Sequence, residues 1–162
     1  MARTDFVSNL DEFLKGFKEK PKEIEQIFSM TIRDICHVLH HSITELTPVN
    51  TGQTLANYQW SIGTPFSGLV EAMGSGDPGP TNQMPLGIEP RRPENQAVAD
   101  ASLNALNFSK PYQDFILVNN NPAWGGLEDG EYPEFPFRQR SPNGMLTLSW
   151  TYVSELVSSG VL

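Results

Sequence analysis

Apolar residues at positions 24, 27, 28, 35, 38, 39 and 46 recur at helical intervals and stop abruptly at Thr47-Pro48. The spacing places Ile24, Ile27, Phe28, Ile35, Val38, Leu39 and Leu46 on one face of a helix of about seven turns. Pro21 suits the first position of that helix, and Glu23 and Glu25 fall in its first turn, where the helix dipole favours negative charge. Pro48 ends it, because the residue before a proline is driven out of the helical region. One helix of this length is the frame on which the rest of a 162-residue chain must pack.

Ahead of it, Phe6, Leu10, Phe13, Leu14 and Phe17 predict a shorter amphipathic helix over 4–17, capped by Thr4 and separated from the long helix at Pro21. After it, Thr51-Gly52 makes a turn, and Tyr58, Trp60 and Ile62 alternate with polar residues as a half-buried strand. Residues 63–93, rich in Gly, Pro, Ser and Asn, predict a long loop or arm. A helix is expected over 93–107, with Val98, Ala101, Ala105 and Leu106 inward and Lys110-Pro111 closing it. "YQDFILVN", 112–119, predicts a second strand. A loop follows, with one helical turn at 123–127. Met145, Leu148, Tyr152, Val153 and Leu156 predict a C-terminal helix. The expectation is a single α+β domain over 1–162. A long N-terminal helix and one or two further helices pack on a small, mainly antiparallel sheet, with a helical arm at 1–20 and the long loop at 63–93.

Charge and composition exclude some functions. The net charge of -8 and the lack of a dense basic run argue against tight, sequence-independent binding of nucleic acid, which needs clustered Lys and Arg. The longest apolar run, Phe115–Val118, is far short of the ~20 residues of a membrane-spanning helix. Charges stand where a signal peptide would place its apolar stretch, so a protein made and kept in a cytoplasm is expected. Cys36 is the sole cysteine, which rules out an internal disulfide.

"CHVLHH" puts Cys36, His37, His40 and His41 on two faces of the long helix. Zinc takes such ligands, but each face offers only two, so a metal-dependent hydrolase would need carboxylates or a second subunit. Glu128, Asp129, Glu131 and Glu134 lie on a turn-rich segment with no partnering base, which reads as a solvated acidic loop. "MGSGDPG" is neither a nucleophile elbow nor a phosphate loop. Arg91-Arg92 and Arg138-Gln139-Arg140 read as solvated pairs on loops, able to meet acidic protein surfaces. Trp60 belongs to a core. Trp124, among Gly and Pro, either caps the fold or anchors a partner. No catalytic, cofactor or metal site is assigned.

Three segments together resemble the tail-completion (neck, or minor tail) proteins of long-tailed bacteriophages. "TPVNTGQTLANYQWSIG" is similar to their helix-exit motif through Thr47, Pro48, Val49, Asn50, Thr51, Gly52, Asn57, Tyr58 and Trp60. "FILVNNNPAWGGLEDG" is similar to a second signature through Val118, Asn119, Asn120, Pro122, Leu127, Glu128 and Gly130, with Trp124 near the place of a usual tyrosine and Asp129 replacing a usual aromatic. "SPNGMLTLSWTYV" is similar to the closing Pro-x-Gly-Met through Pro142, Gly144 and Met145. The likeness covers about residues 20–157. It implies a virion protein at the head-tail junction, assembled in the host cytoplasm. Such a protein forms a homo-oligomeric ring, generally a hexamer, that meets the head connector or adaptor and the tail terminator or tail tube. DNA would pass an acidic lumen without specific binding. A tail terminator or head-closure adaptor of the same neck is the alternative. The resemblance carries no catalytic residue. Trp124, Glu128, Asp129, Arg91, Arg92, Arg138 and Arg140 are the expected contacts with neighbouring subunits or partners. A monomeric binding module using Trp124 and the acidic loop is a third possibility.

Overall fold

The computed structural model describes residues 3–74, 89–130 and 143–162, and for 3–19 only the course of the backbone. The side chains expected on the 4–17 helix, residues 75–88 of the expected arm, and Glu131, Glu134, Arg138, Arg140 and Pro142 lie outside the described residues.

Helix α1, Arg3–Leu46, is one continuous element with Pro21 inside it. The expected separation of a 4–17 helix from a second helix is therefore corrected. Proline removes one hydrogen bond and crowds the preceding turn, at about 3 kcal/mol, and the long helical runs on both sides carry the chain through. At ~1.5 Å per residue α1 is about 66 Å long, and it ends at Leu46, ahead of Pro48 as the proline requires.

Six shorter elements follow among the described residues: α2 (Gln53–Ala56), β1 (Tyr58–Ile62), α3 (Arg92–Asn104), β2 (Phe115–Asn119), α4 (Trp124–Glu128) and α5 (Leu146–Ser158). β1 and β2 pair antiparallel, with Tyr58 opposite Asn119 and Ile62 opposite Phe115. The α+β expectation holds. β2 starts at Phe115, three residues after the predicted Tyr112, which is exposed. The one-turn helix α2 has no apolar period of its own and was not anticipated.

Two joined clusters form the core. Ile43, Val49, Leu55, Tyr58, Ala99, Leu127 and Met145 make one. Cys36, Leu39, Trp60, Leu103 and Val153 make the other, with Leu117 and Leu146 packed against both. The stripe expected on α3 is corrected: the helix buries Arg92, Asn95, Ala99 and Leu103, while Ala101 and Ala105 face outward. Two of these four are polar, so hydropathy periodicity points to the wrong face. α5 likewise buries Ser149 and Val153, and leaves Leu148 and Tyr152 exposed. Among the described side chains of α1, the apolar face is buried in the C-terminal part, at Cys36, Leu39 and Ile43, and not at its start. Ile24, Ile27 and Phe28 stand 61%, 65% and 40% exposed. Among the described residues, no helix is long and apolar enough to cross a membrane.

Candidate functional site

The exit from α1 is closed by residues distant in sequence. Its last turn contains no basic residue. Arg92 of α3 fills that role: Nη1 donates to the Thr44 carbonyl at 2.8 Å and Nη2 to the Thr47 carbonyl at 2.6 Å. Its Nε donates to Glu89 at 2.8 Å, and the Val49 N–H donates to the other Glu89 oxygen at 3.3 Å. Both side chains are buried. Burial opposes ionisation of Glu89, but the Arg92 and backbone hydrogen bonds outweigh it and hold the carboxyl below its usual range. Arg92 was expected on a solvated loop and as a partner contact. Its donors are instead spent inside the subunit.

The turn that follows is equally constrained. Gly52 has φ +89°, and a Cβ there would fall 2.1 Å from Asn95 Nδ2. Asn95 accepts from Met73 N–H at 2.8 Å and donates to the Met73 and Arg91 carbonyls. Asn57 exchanges hydrogen bonds with Val70, Gln53 bonds Val70 and Ala72, and Asn120 donates to the Phe66 and Gly68 carbonyls. Side-chain amides thus hold the backbone of residues 66–73 in place of a third strand. This first part of the 63–93 loop is fastened to the body. Asn57, Asn119 and Asn120, which carry the family resemblance, work within the subunit.

The Cys/His group divides between a buried face of α1, with Cys36 and His40, and an exposed one, with His37 and His41. Cys36 enters the core, where burial pushes its thiol up to about 11. His37 lies 6.3 Å from the Phe108 ring, and His41 is exposed. His40 is buried: Trp60 Nε1–H donates to its Nδ1 at 3.0 Å, so the proton sits on Nε2 and is donated to Asp100 at 2.9 Å. Desolvation, assisted by His37 and His41, outweighs Asp100 and lowers its pKa. Both ring nitrogens are occupied in this way, which leaves none for a metal or a substrate proton. Among the described residues, no group of three or more His, Cys, Asp and Glu could hold a metal ion.

Trp124 and Glu128 close the opposite end. Trp124 Nε1–H donates to the Tyr58 hydroxyl at 3.1 Å, so this half-buried ring caps the core. Glu128 accepts the backbone N–H groups of Met145, Leu146 and Thr147 at 2.7, 2.8 and 2.9 Å, and so caps the N-terminus of α5. Burial again opposes its ionisation, but these bonds lower its pKa. The solvated-loop expectation for Glu128 is corrected. The only sequence hint of a cap was Gly144, whose φ of +78° permits the approach. Asp129 stays exposed beside it. Arg91 lies over Gly74 with Nη1 3.5 Å from the Thr51 carbonyl. Of the expected contact residues that are described, Arg92, Trp124 and Glu128 are therefore engaged within the subunit, while Asp129 is exposed.

What remains open is a groove. It has a volume of about 700 Å³ and runs between α1, the outer edge of β2 and α5, lined by Ile32, Ile35, Leu39, Leu117, Trp124, Trp150 and neighbours. Ser102 of α3 covers the other sheet edge, accepting from Trp60 N–H at 3.1 Å while its hydroxyl donates to the Ala99 carbonyl at 2.7 Å. Gly63 N–H bonds the Asp114 carbonyl, so the register turns the backbone groups of Phe115, Leu117 and Asn119 toward the groove. Trp150 stands 57% exposed on its rim. Compared with known protein families, curated proteins and solved structures, the chain matches none.

Proposed function

We propose that this chain is a structural subunit of the neck of a tailed bacteriophage, forming a homo-oligomeric ring that completes the tail and meets the head connector. The observation that carries this reading is a pair of apolar surfaces of unlike shape on one small subunit: the protruding stripe of α1 at Ile24, Ile27 and Phe28, and, further along the same helix, the concave groove beside β2. Two unlike surfaces are what a ring requires, since each subunit meets its two neighbours through different faces. The order and spacing of the three motif segments support the phage assignment. A sixfold ring is the stoichiometry that the resemblance suggests, and a tail terminator or head-closure adaptor would use the same surfaces. An acidic chain lining the lumen would let DNA slide through without adhering.

Electron microscopy of particles from a phage lacking this gene tests the proposal. Filled heads and separate tails are expected. Joined, infectious particles would overturn it.

A further inference from the structure

We infer that the groove beside β2 is the receptor for the exposed stretch of α1, residues 20–30, of a second copy of this chain. The inference rests on the self-assembling reading above and names the contact that makes it. Every residue from Lys20 to Phe28 is exposed, as is Met30, so this part of α1 lies outside the core of its own subunit, with Phe28 resting 5.6 Å from the exposed Tyr112 ring. Ile24, Ile27 and Phe28 stand at the i, i+3 and i+4 positions by which an amphipathic helix anchors in an apolar groove. The groove offers room for a row of such side chains. It is also continuous with the same face of α1, which runs from Ile24 through Ile32 and Ile35 into the core.

Charge selects the occupant. Four of the chain's five lysines lie at 15, 18, 20 and 22, interleaved with Phe17 and Glu19, on the arm that carries the stripe. The remaining residues, 23–162, hold fifteen acidic and six basic side chains. Lys20 precedes Ile24 by one turn on the same face, and Asp114 is exposed at the groove's mouth. The docking segment 20–30 carries Lys20 and Lys22 against Glu23 and Glu25 and is net neutral, so it meets the acidic body without net repulsion and with Lys20 as a partner for Asp114, and a second copy supplies both segment and slot. The stripe covers only a few hundred Å², below the ~1,200 Å² of a stable two-body interface. One contact alone is then weak, and closure, in which every subunit gives one arm and receives another, stabilises the assembly.

The test mixes two single-cysteine proteins, one with Ile27→Cys and one with Trp150→Cys, each in a Cys36→Ala background. Both positions are exposed, so neither change disturbs the core. A disulfide-linked heterodimer under mild oxidation is expected from the mixture, in clear excess over the homodimer of either protein alone. In parallel, the Ile24→Asp/Ile27→Asp protein should sediment as a single chain at concentrations where the wild type is larger, with an unchanged melting temperature. A wild type that stays monomeric up to about millimolar concentration, the range in which weak contacts populate, overturns the inference. So does association that survives both aspartates. Rings seen by microscopy without the cross-link refute this contact but leave the ring reading standing. Joined particles from the deletion phage refute that reading on their own.

Discussion

The Arg92 guanidinium and the Glu89 carboxylate meet at 2.8 Å inside the subunit and together close the end of α1. Arg92 satisfies two carbonyls at the helix end, and Glu89 holds the first free N–H beyond Pro48. Removing either partner strands a buried charge. Arg92→Ala or Glu89→Ala should each cost roughly 3–5 kcal/mol in urea unfolding, and the double substitution less than their sum. Additive losses would show that the pair does not act as a unit.

Glu128 is the N-terminal cap of α5 from another segment. Glu128→Ala should cost about 1–2 kcal/mol, with faster amide exchange over 146–149. Glu128→Gln, which keeps one acceptor oxygen, should lose less. Gly144→Ala should be at least as harmful as Glu128→Ala, since its Cβ would meet Glu128 Oε1 at 2.5 Å and the backbone has φ +78°.

Acid should destabilise the fold in two stages. His40 has a lowered pKa in the folded chain, so as pH falls below 6.5, the ordinary value for histidine, the unfolded chain takes up the proton first and stability declines. Glu89 and Glu128 also have lowered values. Their contribution is complete above the unfolded value of 4.5 and is lost as pH falls through the folded ones. Urea midpoints measured across pH should show both stages, and His40→Gln should abolish the upper one. An unchanged upper stage in that variant would assign it elsewhere.

The amides of Gln53, Asn57 and Asn95 hold residues 66–73 to the body. Asn57→Ala removes both bonds to Val70. Limited proteolysis near Phe66 and Leu69 should then speed up at least tenfold, about 1.4 kcal/mol of lost local protection. Equal cleavage rates in wild type and variant would mean that the amides do not hold the segment.

Ser149 Oγ is buried on α5 with no hydrogen-bond partner among the described residues. Ser149→Ala should therefore be neutral or stabilising by up to ~1 kcal/mol, read from the shift in thermal midpoint.

Local patterning was legible where the signal is a period in the chain itself. The i, i+3, i+4 spacing located α1 and α5, alternation located β1, and Pro48 marked the end of α1 to within two residues. It failed wherever a residue answers to a distant partner. Arg91-Arg92 looks like any solvated pair, because the carbonyls that hold Arg92 lie 45 and 48 residues away. Glu128 looks like part of an acidic loop, because the N–H groups it caps lie 17 to 19 residues further on. The polar stripe of α3 is invisible to hydropathy for the same reason.

The sequence by itself determined the longer helices and the two strands, since steric preference and periodicity act between near neighbours. Only the tertiary structure decided which charges are structural, that both ring nitrogens of His40 are engaged by Trp60 and Asp100, and that the apolar face of α1 extends beyond the core at Ile24, Ile27 and Phe28. Hydrogen-bond partners and the extent of a core are set by what the folded chain brings together, and no local pattern encodes that.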